Sequence, residues 1–167
     1  MTNVTATATV FDIPLPLKQE HEALHERLRE ATRAPGEVGE RARELARLMH
    51  PHFVKEDEIA LPPLGLLAAL ARGEPTASME GVLALTDRLE AGLAGMLDEH
   101  RAIVAALERL ADAAKRAGLT GIVDFARDLV QHARVEEEVM YPAAILVGRY
   151  VRQQRDRPPS AAHRGVT

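Results

Sequence analysis

The sequence contains no cysteine and no tryptophan. The first absence excludes disulfides, thiolate zinc sites, iron–sulfur clusters and cysteine nucleophiles. Any bound metal must then be held by histidine and carboxylate, which leaves iron, manganese, zinc or similar ions. Aromatic residues make up only 3% of the chain, no stretch alternates like a strand, and Ala, Leu, Glu and Arg abound, a mix that favours helices. A net charge of -4 is too small to single out nucleic acid or an anionic membrane as partner. The longest apolar run, 59–71, holds two prolines and is too short to span a bilayer. The opening residues, rich in Thr and Ala, lack the basic and apolar regions of a secretory signal, so a cytoplasmic location is expected.

What the sequence does have is helical periodicity. Leu17, His21, Leu24, Leu28 and Ala31 step by four, three, four and three, and Ala34-Pro35-Gly36 ends the segment. A second stripe runs through Leu45, Leu48 or Met49, His52, Glu56 and Ile59, with Pro51 expected to kink it near Leu48 and Pro62-Pro63 expected to end or bend it. A third runs through Leu89, Leu93, Met96, His100, Ile103, Leu107 and Leu110, with Ser78 as N-cap and Gly118 as C-terminal cap. A fourth takes Ile122, Phe125, Leu129, His132, Glu136, Val139, Ala143 and Leu146. The expectation is an all-α, up-down-up-down four-helix bundle over 14–153, with a flexible leader at 1–13 and a disordered tail at 154–167.

Polar residues recur inside these stripes. Glu20-His21 opens the first half and Glu99-His100 the second; His52 and Glu56, then His132 and Glu136, follow as His-x-x-x-Glu pairs, 31 and 32 residues after the first histidine of each half. A proline stands ten residues after the second histidine in both, at Pro62 and Pro142. This reads as a duplicated helical hairpin. A carboxylate in an apolar stripe is costly to bury unless something pairs with it. Four imidazoles and two carboxylates meeting at mid-bundle suit two metal ions, with each carboxylate able to bridge them. His25, one turn after His21, is a fifth candidate imidazole whose counterpart is Val104. One ion is then expected to have His21, His25 and His52, and the other His100, His132 and an open position.

On the Glu-His pairs at 20–21 and 99–100, HFVKEDEIALP at 52–62 and HARVEEEVMYP at 132–142, the sequence resembles the hemerythrin-like, or HHE cation-binding, domain family over roughly 17–150. The resemblance implies a four-helix bundle around a non-haem di-iron centre. It implies His21, His52, Glu56, His100, His132 and Glu136 as ligands, with Glu56 and Glu136 bridging. Hemerythrin itself carries a His-x-x-x-His pair on its third helix, whereas the pair here, His21 and His25, falls on the first.

Two other motifs compete. His21-Glu22-Ala23-Leu24-His25 spells the H-E-x-x-H of zinc hydrolases, but that leaves His52, Glu56, His100, His132 and Glu136 unexplained. Ferritin-like di-iron sites use Glu-x-x-His, the reverse order and a shorter spacing. Of the remaining groups, His50 reads as a surface or supporting residue and Tyr141 as packing, with a phenol near the metals as its second reading. Asp57, Glu58, Glu137 and Glu138 read as mostly solvated, one of them free to bond a ligand histidine. The expected function is binding of, or reaction with, a small ligand such as dioxygen, nitric oxide or peroxide at two iron ions, with manganese or zinc as alternatives. Decomposition of hydrogen peroxide is the enzymatic alternative, and one sequence does not separate carriage, sensing and turnover.

Overall fold

The computed structural model describes residues 11–157, and among them there is no strand. Helix α1 is Leu15–Ala31, started by Pro14 and Pro16, which fit a first turn whose backbone N–H groups have no helical partner. Helix α2 is Gly36–Lys55, and Glu56–Ala60 continues it as a single π turn. A 3-10 turn at Pro62–Leu66 and the short α3, Leu67–Ala71, form the connector. Helix α4, Val82–Arg116, has 35 residues. Helix α5, Thr120–Val135, passes through a second π turn, Glu136–Met140, into α6, Tyr141–Arg155. Four long helical rods result: α1, α2, α4, and α5 continued by α6. The expected leader and tail lie mostly outside the described residues, and His163 lies wholly outside them.

Helix α4 is the mast against which α2, α5 and α6 pack. One apolar core joins Leu24, Leu28, Leu45, Phe53, Leu107, Leu110, Phe125 and Leu129. A second joins Leu61, Leu64, Leu89, Met96, Met140, Tyr141, Ala144 and Ile145. Along every rod the histidines of the stripes lie between the two, so a polar layer separates two greasy ones. Gly118 (φ 70°) ends α4 as expected: the Leu119 amide donates to the Ala114 carbonyl at 2.9 Å, a bond that needs the left-handed residue between.

Several expectations are corrected. Pro51 does not interrupt α2, which runs through it. The proline is on the solvent face, and so is Arg47, whose carbonyl loses its helical partner and is left to water. Met49 rather than Leu48 is buried. Ser78 lies in a 3-10 turn, Ala77–Met79, and α4 starts at Val82 without a side-chain cap. The fourth stripe fails after Glu136: Val139 is 58% exposed and Leu146 61%. The π turn holds one more residue than an α turn, which advances the buried face to Met140, Tyr141, Ala144, Ile145 and Val151.

Candidate metal centre

Two pairs of imidazoles face each other in the polar layer. His52 Nε2 stands 2.8 Å from His100 Nε2, and His132 Nε2 stands 3.1 Å from His21 Nε2. All four rings are buried. Each pair joins one histidine from each half of the sequence, so the expected grouping of His21 with His52, and of His100 with His132, is corrected to His21 with His132 and His52 with His100.

Glu136 spans the pairs. Its Oε1 lies 2.7 Å from His132 Nε2 and 3.3 Å from His21 Nε2, and its Oε2 lies 3.4 Å from His100 Nε2. Glu56 spans them in the opposite sense, with Oε1 3.2 Å from His52 Nε2 and Oε2 3.9 Å from His21 Nε2. Both carboxylates are buried, Glu56 completely. Both open a π turn of five residues, Glu56–Ala60 and Glu136–Met140.

The outward nitrogens are also held by carboxylates. His52 Nδ1 donates to Glu99 at 2.9 Å, His100 Nδ1 to Glu137 at 2.8 Å and His132 Nδ1 to Glu20 at 3.1 Å. Asp57 stands 3.4 Å from His21 Nδ1, outside hydrogen-bond geometry. A carboxylate beside Nδ1 keeps the proton there and leaves the Nε2 lone pair directed inward. The pattern is regular. The residue before His21 and the residue before His100 hold the histidines of the two His-x-x-x-Glu pairs, the residue after Glu136 holds His100, and the residue after Glu56 stands beside His21 without bonding it.

Electrostatically the layer is strained without a cation. Burial and the charge of Glu136 push the Glu56 carboxyl up. Burial also opposes the charge of Glu136, but bonds from His100, His132 and His21 prevail and hold it well below the usual range. Burial disfavours a charged His132, yet Glu136 and Glu20 overcome it and raise the ring to about 9; Glu56 does the same for His52, and Glu136 for His100, by less. Burial opposes the charge of Glu99 as well, and Lys55 and His52 outweigh it.

The donors fit metal ions. In the metal-free protein a proton shared between the Nε2 atoms holds each imidazole pair together, and a metal ion can take its place, because neighbouring ligands about 2.1 Å from one ion stand about 3 Å apart. Glu56 Oε2 is buried with no hydrogen-bond partner and faces His21 Nε2 across 3.9 Å. His52, Glu56, His100 and Glu136 offer atoms within 4.8 Å of one another, and so do His21, His132 and Glu136. Nitrogen and oxygen donors without thiolate suit iron, manganese or zinc.

His25 is not brought to this group. It is exposed, and its ring lies against Phe53 with centroids 4.0 Å apart. One helical turn past His21 carries it beyond a layer only one residue thick. Glu22 is exposed too, so H-E-x-x-H forms no site. His50 is at the surface beside His25, lining a shallow groove with Arg29 and Phe53. Tyr141, read chiefly as packing, is both packed and polar: it is fully buried, and its hydroxyl donates to Glu56 Oε1 at 2.5 Å and lies 3.2 Å from His100 Nε2. Burial and the two glutamates push its ionisation far up. Sequence reasoning missed Glu20 and Glu99 as histidine partners, although their place before each first histidine was the available signal.

No curated protein and no solved structure matches the chain. The model of the hemerythrin HHE cation-binding domain matches residues 16–144 and, a second time, 91–165. With that match covering most of the sequence and a buried His/Glu cluster at its centre, the chain belongs to the hemerythrin HHE cation-binding domain family.

Proposed function

We propose that this protein is a non-haem di-iron protein that binds or reacts with dioxygen, nitric oxide or peroxide. The observation that carries the reading is the double span. Two imidazole pairs face two buried carboxylates, and the two oxygens of Glu136 face different pairs. His21 and His132 would hold one ion and His52 and His100 the other, and Glu56 and Glu136 each face both pairs. Manganese and zinc are the alternative occupants. Bound iron supplies redox chemistry and a place for a small ligand.

The chain's own residues do the rest. Glu20, Glu99 and Glu137 orient the rings and keep their Nε2 lone pairs inward. The two apolar cores exclude water on either side of the layer. In the metal-free protein Tyr141 keeps a proton at its hydroxyl beside Glu56. The second reading is an enzyme that decomposes hydrogen peroxide, whose cleavage needs a proton near the reacting oxygens.

The rods run between the two cores in alternating directions, which supports an up-down-up-down bundle. The paired π turns, the reciprocal histidine partners and the second, overlapping family match support its origin in a duplicated hairpin. Among the described residues no helix is long and apolar enough to cross a membrane.

Elemental analysis of protein expressed with iron supplied tests the reading. About two irons per chain is the expected result, from two donor groups that each suit one ion. A single zinc with little iron would sink it.

A further inference from the structure

The six histidine and glutamate donors assigned to metal leave Tyr141 outside their set, and its position is specific. Its oxygen is 2.5 Å from Glu56 Oε1 and 3.2 Å from His100 Nε2. His52 Nε2 is itself 2.8 Å from His100 Nε2 and 3.2 Å from Glu56 Oε1. Glu136 Oε2 closes the group at 3.4 Å from His100 Nε2. The phenol oxygen therefore stands beside the atoms that converge on the ion at His52 and His100, at the spacing of neighbouring ligands.

The second π turn puts it there. Tyr141 is the fifth residue after Glu136, a position that a regular α-helix would turn well away from the glutamate's face. The extra residue of the π turn brings it back toward that face. The residue in the same place after the first π turn is Leu61, which has no donor. Two chemically matched halves thus end in two unlike groups. Five donor groups converge at one end of the layer: His52, His100, Tyr141 and one oxygen each of Glu56 and Glu136. Four converge at the other: His21, His132 and the second oxygens of the two glutamates.

We infer that Tyr141 is a protein ligand of the ion held by His52 and His100. The inference rests on the metal-centre reading above. On binding, the Oη–H bond breaks, the proton leaves to bulk water and an oxygen lone pair forms the bond to the metal; no electron changes hands. In the metal-free protein the buried carboxylates favour the neutral phenol, and a bound cation reverses that preference. The hard oxygen donor suits ferric iron.

Resonance Raman spectra of the oxidised, iron-loaded protein decide the matter, with iron counted on the same sample. Wild-type protein should show the ring vibrations of iron-bound tyrosinate. Tyr141→Phe should keep its iron and lose those vibrations to baseline. The exposed Tyr150 is the chain's other tyrosine, so the assignment is unambiguous. Iron-loaded wild-type protein without tyrosinate vibrations overturns this inference and leaves the metal centre standing. Vibrations that persist in Tyr141→Phe also overturn it. The wild-type spectrum is decisive even where the variant fails to fold. Protein that takes up no metal overturns both readings together.

Discussion

At the scale of single residues, the layer divides into groups placed to hold metal and groups that orient them. Glu136 faces both imidazole pairs, so Glu136→Ala should remove most of the bound metal, and His132→Ala should do the same. Metal content that survives both changes would refute the site. Glu99 and Glu137 reach only the outward nitrogens, so Glu99→Gln or Glu137→Gln should weaken metal binding by about 10–100-fold without abolishing it, as titration against a competing chelator would show. His25→Ala and Glu22→Gln should leave metal content unchanged, since both residues are exposed and outside the cluster. The metal-free protein also carries a pH signature. The folded pKa of His132 is raised from 6.5 to about 9. A group whose folded value lies above its unfolded one contributes stability that is fully present below the lower value and is lost as pH rises through the upper. The denaturation midpoint of metal-free protein should therefore fall between pH 6.5 and about 9. His132→Gln should flatten that dependence; an equal slope in both proteins would place the titration elsewhere.

At the scale of elements, the buried histidine and glutamate cluster was legible because a carboxylate or imidazole interrupts an apolar stripe, and the interruption recurs in both halves. What followed the glutamates was not legible. Periodicity of 3.6 assumes that every turn is an α turn, and the π turns at Glu56 and Glu136 each add a residue. The stripe thus mispredicted Val139 and Leu146 as buried, and Tyr141 appeared one place past the face it occupies. His25 misled for a related reason. Spacing along one helix says which residues share a face, but not how deep along the rod the neighbouring helices bring theirs. Pro51 was weighed for the bond it removes and not for the face it lies on. Gly148 shows what spacing cannot reveal: a Cβ there would meet Thr86 Oγ1 at 2.1 Å, so α6 touches α4 through a bare backbone. Gly→Ala inside a helix ordinarily stabilises by about 0.5–1 kcal/mol. Here the overpacking should dominate, and Gly148→Ala should destabilise the protein by about 1–3 kcal/mol in urea denaturation. A neutral or stabilising result would mean that the two helices separate freely.

At the scale of the whole molecule, the metal layer draws its donors from all four rods and lies between the two apolar cores, so it links parts of the chain that no single core joins. His21 comes from α1, His52 from α2, His100 from α4 and His132 from α5, while both glutamates sit where α2 and α5 turn into π geometry. In the metal-free protein the layer keeps two buried carboxylates beside each other, and the Glu56 carboxyl is raised first by its burial and then by the charge of Glu136. A metal relieves the repulsion between them only in the folded chain, because unfolding scatters the donors along more than a hundred residues. Binding is then linked to folding, by about 2.7 kcal/mol when free metal is at about a hundred times its dissociation constant. For a chain of this size that corresponds to a rise in melting temperature of about 5–10 °C. Removal of metal by a chelator should lower the melting temperature by about that much, and restoring iron should recover it. Glu136→Ala should show a melting temperature that ignores both treatments. If wild-type protein also ignores them while metal is bound, the ions sit at a site that does not join the rods, and the central layer is held by its hydrogen bonds alone.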